Sequence, residues 1–183
     1  MVYVFFAEGF EEIEALAVVD ILRRAEIRTH MIGVTGKSVT GAHDITVQMD
    51  NTIKEITHLS DVSMLVLPGG MPGTKHLMES GPLKNLLNEA YNSDLYIAAI
   101  CAAPMVLSEH DLIKGRKITC YPGIEKELKH FVHSEELVVQ DGKLITAKGP
   151  GAAIAFGLKL TEILKGNKVS EAVKRSLILP IEG

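Results

Sequence analysis

DLYIAAICAAP, Asp94 to Pro104, is the stretch on which the fold turns. Leu95 to Ile100 are almost wholly apolar, the pattern of a short strand covered on both faces in a parallel sheet. A cysteine, Cys101, follows with no spacer. Ala102, Ala103 and Pro104 then open a helix, since proline is tolerated in a first turn, where its missing N–H would be unpaired anyway. A thiol at such a junction faces unsatisfied backbone N–H groups and the positive end of a helix. Both favour thiolate over thiol and predict a pKa well below the ordinary ~8.5. A buried structural cysteine, the common state of a free thiol, is the alternative.

Upstream, Ser63 to Leu67 form another core strand and run into PGGMPG, whose glycines clear side chains from the carboxyl end of the strand, where open α/β sheets place their ligands. No Gly-Lys-Ser/Thr follows and the G-x-G-x-x-G spacing is absent, so neither a Walker loop nor a dinucleotide fingerprint is present. Gly69 and Gly70 can expose backbone N–H groups as an oxyanion site, or simply make a turn. Pro82 to Ala90 is a helix leading into the central strand.

Further back, Val2 to Phe6 predict a buried strand. EEIEALAVVDILRRA, Glu11 to Ala25, predicts a helix with acids in its first turns and Arg23 and Arg24 in its last, matching the dipole at both ends. Ile13, Leu16 and Ala17 share one apolar face, widened by Val19, Ile21 and Leu22. Glu14 falls within this apolar region just past the first strand; from the residues alone it is either a solvated helix glutamate or a functional acid. Ile27 to Val34 give a second strand, joined by a right-handed crossover, and Gly36 to Asp50 a small hairpin.

Downstream the pattern is less regular. Lys117 to Cys120 suit a strand and YPGIEKELKH a short helix ending near His130. Glu136 to Gln140 and Lys143 to Ala147 flank Asp141-Gly142, a strong hairpin signal. Gly149-Pro150-Gly151 opens a long helix closed by Lys165-Gly166, and Val169 to Leu177 form a last helix. The result is an α/β fold with a mostly parallel sheet, expected as one domain over residues 1–183.

Composition fits this. The chain has 183 residues, 46% of them hydrophobic, enough for a sizeable single core. A formal charge of −4, with no basic block or aromatic ladder, gives no nucleic-acid signal. No apolar run reaches the ~18 residues that span a bilayer, and MVYVFFAEGFEE lacks the charged start of a signal peptide. Two cysteines without framework spacing, Cys101 and Cys120, suit a reducing cytoplasm. His130 and His133, with Glu127 and Glu135 near them, lack a further ligand to complete a metal set and suit a solvated cluster.

Four blocks, AEGFEEIEALAVVDILRRA, LVLPGGMPG, AAICAAP and KGPGAAIAFGLKL, occur in an order that resembles the ThiJ/PfpI superfamily, and closely the branch of the Parkinson disease-associated deglycase and bacterial YajL. The resemblance runs from Val2 to Leu177. It implies a flavodoxin-like three-layer sandwich with a nucleophile elbow, and a homodimer. It places Cys101 on the nucleophile and Glu14 on the acid that hydrogen-bonds the thiolate. Gly69, Gly70 and Ala102 fall on the surrounding backbone N–H groups, and Tyr121, His43 and Gly151 on the pocket lining. Three positions depart from parts of the family. Ala102 stands where the peptidase-like branch has the histidine of a Cys–His pair, so proteolysis loses its base. Tyr121 replaces a histidine of the human branch, and His43 an arginine of many relatives.

The activity this resemblance implies is that of a glyoxalase or deglycase needing no cofactor, metal or glutathione. Its substrates are small dicarbonyls such as methylglyoxal and glyoxal, or their early adducts on protein side chains. Cys101 adds to the aldehyde to give a hemithioacetal, Glu14 moves a proton between the two carbons, and hydrolysis releases a 2-hydroxy acid. The alternative is a non-enzymatic oxidative-stress sensor or chaperone in which Cys101 oxidises to the sulfinic acid. An amidotransferase-like reading needs a histidine late in the chain, and none follows His133.

Overall fold

Along the first strand, β1 (Val2–Phe6), Val2, Val4 and Phe6 enter one apolar core while Tyr3 and Phe5 enter another, and all five are buried. A strand covered on both faces has no polar side to show, which is why the core strands are continuous apolar runs rather than alternating ones. Residues 1–179 are described by the computed structural model. β1 leads through α1 (Glu12–Arg24) to β2 (Thr29–Gly33), then through an antiparallel hairpin, β3 (Ser38–Thr40) and β4 (Thr46–Gln48), to the two-residue edge strand β5 (Asn51–Thr52). β6 (Met64–Leu67) is followed by α2 (Gly73–Glu79) and α3 (Gly81–Asn92), and β7 (Tyr96–Ile100) by α4 (Pro104–Glu109). The chain then makes β8 (Lys117–Ile118), β9 (Val132–His133), β10 (Val138–Asp141) and β11 (Leu144–Ala147), and finishes in α5 (Ala153–Lys165) and α6 (Asn167–Ser176).

The main sheet has seven strands in the order β10-β11-β7-β6-β1-β2-β5. Every neighbouring pair is parallel except the β10–β11 hairpin. Helices cover both faces, making the expected flavodoxin-like sandwich. One core packs α1, α5 and α6 on the sheet through Val18, Leu22, Phe156, Leu160 and Val173. The other packs α2, α3 and α4 through Leu77, Leu83, Leu87, Val106 and Leu107. α1 and α5 approach so closely that a Cβ on Gly157 would stand 2.8 Å from Ile21 Cδ1.

The strand order reverses between β1 and β6, because the chain leaves β1 for β2 on one side and returns to place β6 on the other. Such a switch point opens a crevice at the carboxyl ends of the strands. The segments leaving β1, β6 and β7 carry Glu14, Gly69–Gly70 and Cys101.

Three sequence expectations need correction. The α1 face toward the core is Ala15, Val18, Val19, Ile21 and Leu22, with Leu16 and Ala17 half-buried and Ile13 exposed at 58%. Glu14 lies four residues before Val18 and so stands in the buried stripe itself. PGGMPG is not only a turn, for α2 begins at its last glycine; a seven-residue helix starting on glycine carries almost no periodic signal. Finally, β8 does not extend to Cys120 and pairs with β9 in a separate two-stranded sheet, while YPGIEKELKH contributes only the 3₁₀ turn Ile124–Glu127.

Candidate active site

Cys101 follows β7 directly in a left-handed backbone conformation, φ +65°. For a side chain with a Cβ this costs roughly 1–2 kcal/mol, and it persists only where the surroundings fix it. Here the Cys101 N–H donates to the Ala147 carbonyl at 2.9 Å, and the Tyr121 N–H donates to the Cys101 carbonyl at 2.9 Å. Three segments thus hold the elbow: the end of β7, the end of β11 and the loop after β8.

Glu14 meets the cysteine from α1. It is 1% exposed, and its Oε2 accepts from the Gly69 N–H at 2.8 Å. Its Oε1 is buried with no conventional hydrogen-bond partner among the described residues. Burial raises the carboxyl to about 7; its interaction with the Cys101 thiol and the Gly69 hydrogen bond pull it back, and the Glu11 charge adds to the rise. At neutral pH such a group is nearly evenly divided between acid and base.

Gly69 is the junction of the site. A Cβ there would lie 2.7 Å from Cys101 Cβ, 2.8 Å from Glu14 Oε2 and 3.1 Å from the Ala102 nitrogen, so the three groups meet only because the position has no side chain. Its N–H serves Glu14, which leaves the Gly70 and Ala102 N–H groups as the donors toward the sulfur. Gly70 adopts φ +94°, a conformation natural to glycine, and this turns the backbone at that point.

The expected depression of the thiol pKa does not hold. Burial pushes Cys101 up first, the Glu14 charge and its hydrogen bond add to this, and the Ala102 and Gly70 N–H groups offset only part. The sequence argument failed on the helix: α4 has six residues and begins three after the cysteine, too little to supply a strong dipole. Two of the upward pushes come from Glu14 while it is ionised. With the proton on Glu14 they disappear, and the two N–H groups and the acid all favour the thiolate.

Tyr121 is half-exposed at 49% and borders the cysteine, while Gly149 supplies the adjacent backbone. A Cβ on Gly149 would lie 3.1 Å from the Tyr121 ring and 4.0 Å from Cys101 Sγ. The expected Gly151 is exposed with no protein atom within 4 Å of its Cβ direction, so it does not line this site; its place is taken by Gly149, two residues earlier in the same GPG turn. His43 does not turn to the cysteine. Its N–H donates to Glu12 Oε1 at 2.7 Å and its Nδ1 lies 2.8 Å from Glu12 Oε2, tying the β3–β4 loop to the start of α1. That contact raises the His43 pKa; for the buried Glu12, burial pushes upward most strongly, but the His43 contact and the backbone N–H groups around the carboxylate together outweigh it.

The sequence had not singled out Glu12 or Gly149. Glu12 gave no signal among neighbouring acids, whereas Gly149 could have been found from the glycine-flanked start of α5. Glu11, Glu12 and His43 offer ligand atoms within 4.8 Å of one another, but His43 already occupies the Glu12 carboxylate. His133 stands 3.8 Å from Glu135 on exposed β9. Cys120 is a second free thiol, buried and pushed up to about 11 by burial.

Comparison with known proteins places the chain in a family. The chain is 35% identical over 179 residues to protein dj-1beta of Drosophila melanogaster, covering 96% of this chain and 95% of that protein. It is 30% identical over 174 residues to the glutathione-independent glyoxalase DJR-1.2 of Caenorhabditis elegans, covering 94% and 92%. The crystal structure of Drosophila melanogaster DJ-1beta superposes with a TM-score of 0.93 at 35% identity, over 98% of each chain. The model of the DJ-1/PfpI family matches residues 1–163, and the chain belongs to that family.

Proposed function

We propose that the protein is a cofactor-independent glyoxalase or deglycase that converts methylglyoxal, glyoxal or their early side-chain adducts to 2-hydroxy acids. The observation carrying this reading is the placement of Glu14, 1% exposed and held by the Gly69 N–H, against Cys101 at the side-chain-free Gly69, where burial raises the carboxyl to about 7. Membership of a family that includes a glutathione-independent glyoxalase supports an enzymatic role.

In the reactive form, reached as pH rises through about 7, the pair carries one proton, which can sit on the sulfur or on the carboxyl. With that proton on Glu14, the Cys101 thiolate adds to the aldehyde carbon, forming the C–S bond as Glu14 protonates the developing alkoxide. Glu14 is thereby left as the carboxylate needed next. It removes the proton from the former aldehyde carbon, giving an enediolate, and returns it to the neighbouring carbon, while the hydroxyl proton of the former aldehyde oxygen passes to the neighbouring oxygen. The product is a 2-hydroxyacyl thioester on Cys101. Water cleaves it, releasing the 2-hydroxy acid and the thiol. In the deglycase variant the thiolate displaces the side chain from the hemiaminal or hemithioacetal carbon of the adduct: the new C–S bond forms as the bond to the lysine, arginine or cysteine breaks, and the Glu14 proton goes to the leaving atom. Neither path uses a histidine, consistent with Ala102 and Tyr121 where other branches place one. The reaction belongs in a reducing compartment, and the active species in this reading is the family's homodimer.

The Gly70 and Ala102 N–H groups would also hold the oxygens of a Cys101 sulfinate, which keeps an oxidation sensor as the second reading. The test is methylglyoxal consumption with lactate identification, without glutathione, by wild type, Cys101→Ser and Glu14→Gln. Lactate formation lost in Cys101→Ser and cut ~10²-fold or more in Glu14→Gln is the expected result. An inactive, folded wild type with reduced Cys101 overturns the enzyme reading.

A further inference from the structure

At the opposite end of β7 and β11 from Cys101, a cavity of about 530 Å³ opens between the end of α3, the loop after α4 and the β10–β11 turn. That volume is within the usual range for small-molecule sites. Its walls include Tyr91, Tyr96, Leu112 and Leu144, and Arg116 and Lys143 bring two cations to it.

Neither cation is fully engaged. Arg116 Nη1 donates to Asp141 Oδ1 at 3.3 Å, at the long end for a charged hydrogen bond, and Asp141 also accepts from the Lys117 N–H at 2.8 Å. The remaining guanidinium N–H groups have no hydrogen bond among the described residues. Lys143 Nζ lies 4.2 Å from the centre of the Tyr96 ring and 3.5 Å from Asp94 Oδ2, whose side chain is largely exposed. The cavity therefore joins a guanidinium with free donors to apolar and aromatic walls. Because Asp94 and Asp141 balance the two cations, a singly charged ligand suits it better than a doubly charged phosphate. The guanidinium fork matches a carboxylate, and the tyrosine and leucine walls match an aromatic or branched body.

We propose that this cavity is a second ligand site, separate from Cys101, that binds an aryl or branched-aliphatic monocarboxylate. The carboxylate takes the free Arg116 N–H groups with Lys143 alongside, and the apolar body lies against Tyr91, Leu112 and Leu144. β7 runs from this site to the elbow over five residues, roughly 15 Å.

The test is amide NMR titration of the full chain with phenylacetate, 2-phenylethanol and inorganic phosphate. Phenylacetate should shift residues 91–97, 112–116 and 142–144 saturably. The alcohol, without the charge, and phosphate, without the body, should each bind at least tenfold more weakly. Arg116→Met should weaken phenylacetate binding about tenfold or more, as loss of a charge-assisted hydrogen bond implies. Arg116→Lys should also weaken it, since the charge remains but the fork is lost. Cys101→Ser should bind as wild type does, which separates this site from any failure of the proposed chemistry. Unsaturable shifts, phosphate binding as tightly as phenylacetate, or wild-type affinity in a folded Arg116→Met would each overturn the proposal.

Discussion

Replacing Glu14 by glutamine should change how stability depends on pH, in a direction the structure determines. Glu14 is 1% exposed, and its carboxyl is raised from an ordinary 4.5 to about 7. A carboxyl with a raised folded pKa contributes favourably below 4.5, where both states are protonated. That contribution is lost as pH rises through about 7, because the unfolded chain releases the proton more readily. From these two values the loss is about 2 kcal/mol at pH 6 and about 3 kcal/mol at pH 8. The substituted amide would keep an acceptor for the Gly69 N–H but carry no titrating proton, so the variant escapes the loss. Urea unfolding of both proteins at pH 4.5, 6 and 8 measures it, and the difference between them cancels His43, Glu12 and the other titrating groups. The Glu14→Gln variant should gain about 3 kcal/mol on wild type between the lowest and highest pH. Parallel pH curves, or a variant that loses ground as pH rises, would refute the burial argument for Glu14.

The same pair predicts a pH–rate profile: kcat/KM for methylglyoxal should rise with pH, with an apparent pKa near 7, as the pair goes from two protons to one. In Glu14→Gln that limb should disappear from the residual activity. Gly149→Ala should penalise bulky ketoaldehydes, because its Cβ enters the space 4.0 Å from Cys101 Sγ. The ratio of kcat/KM for phenylglyoxal to that for glyoxal should fall about tenfold, in keeping with the effect of a methyl in a pocket. Tyr121→Phe should change kcat/KM for methylglyoxal less than about fivefold, since one exposed hydroxyl adds at most ~1 kcal/mol. A large loss there, checked against an intact fold, would make the tyrosine part of the proton path.

The parts of the fold visible in sequence were those with a continuous physical signal. Val2–Phe6, Met64–Leu67 and Tyr96–Ile100 are buried on both faces, and their apolar runs announced it. The paired Asp141-Gly142 signal likewise located the β10–β11 hairpin, with Gly142 at φ +61° in its turn. What failed was short or set by tertiary contacts. α2 has seven residues and starts on glycine, and β8 and β9 have two residues each and form through pairing rather than propensity. Ile13 looked like core by hydrophobicity, yet it points away from the stripe that carries Glu14 and Val18. At the site, motif position singled out Cys101 and Glu14, but the direction of the thiol shift required knowing the depth of burial. Gly149 and Gly151 are equivalent in sequence, and only the backbone path decides which one faces the sulfur.

The upward shift of Cys101 changes what the elbow is for. A permanently depressed thiol would be anionic without any partner, and Glu14 would then be an accessory. Here burial opposes ionisation of both groups, so neither gains a charge cheaply alone. One negative charge shared by the pair is the state that the donors can support: Gly69 N–H at the carboxyl, Gly70 and Ala102 N–H at the sulfur. A proton moving between two such groups leaves the net charge of the buried site unchanged, so the protein need not solvate a new ion at each step. Aldehyde addition followed by proton transfer between adjacent carbons uses the carboxyl first as acid and then as base. The strained φ at Cys101 and the missing side chain at Gly69 serve that requirement together, because a Cβ at Gly69 would stand 2.7 Å from Cys101 Cβ and 2.8 Å from Glu14 Oε2, in the space where the two residues meet.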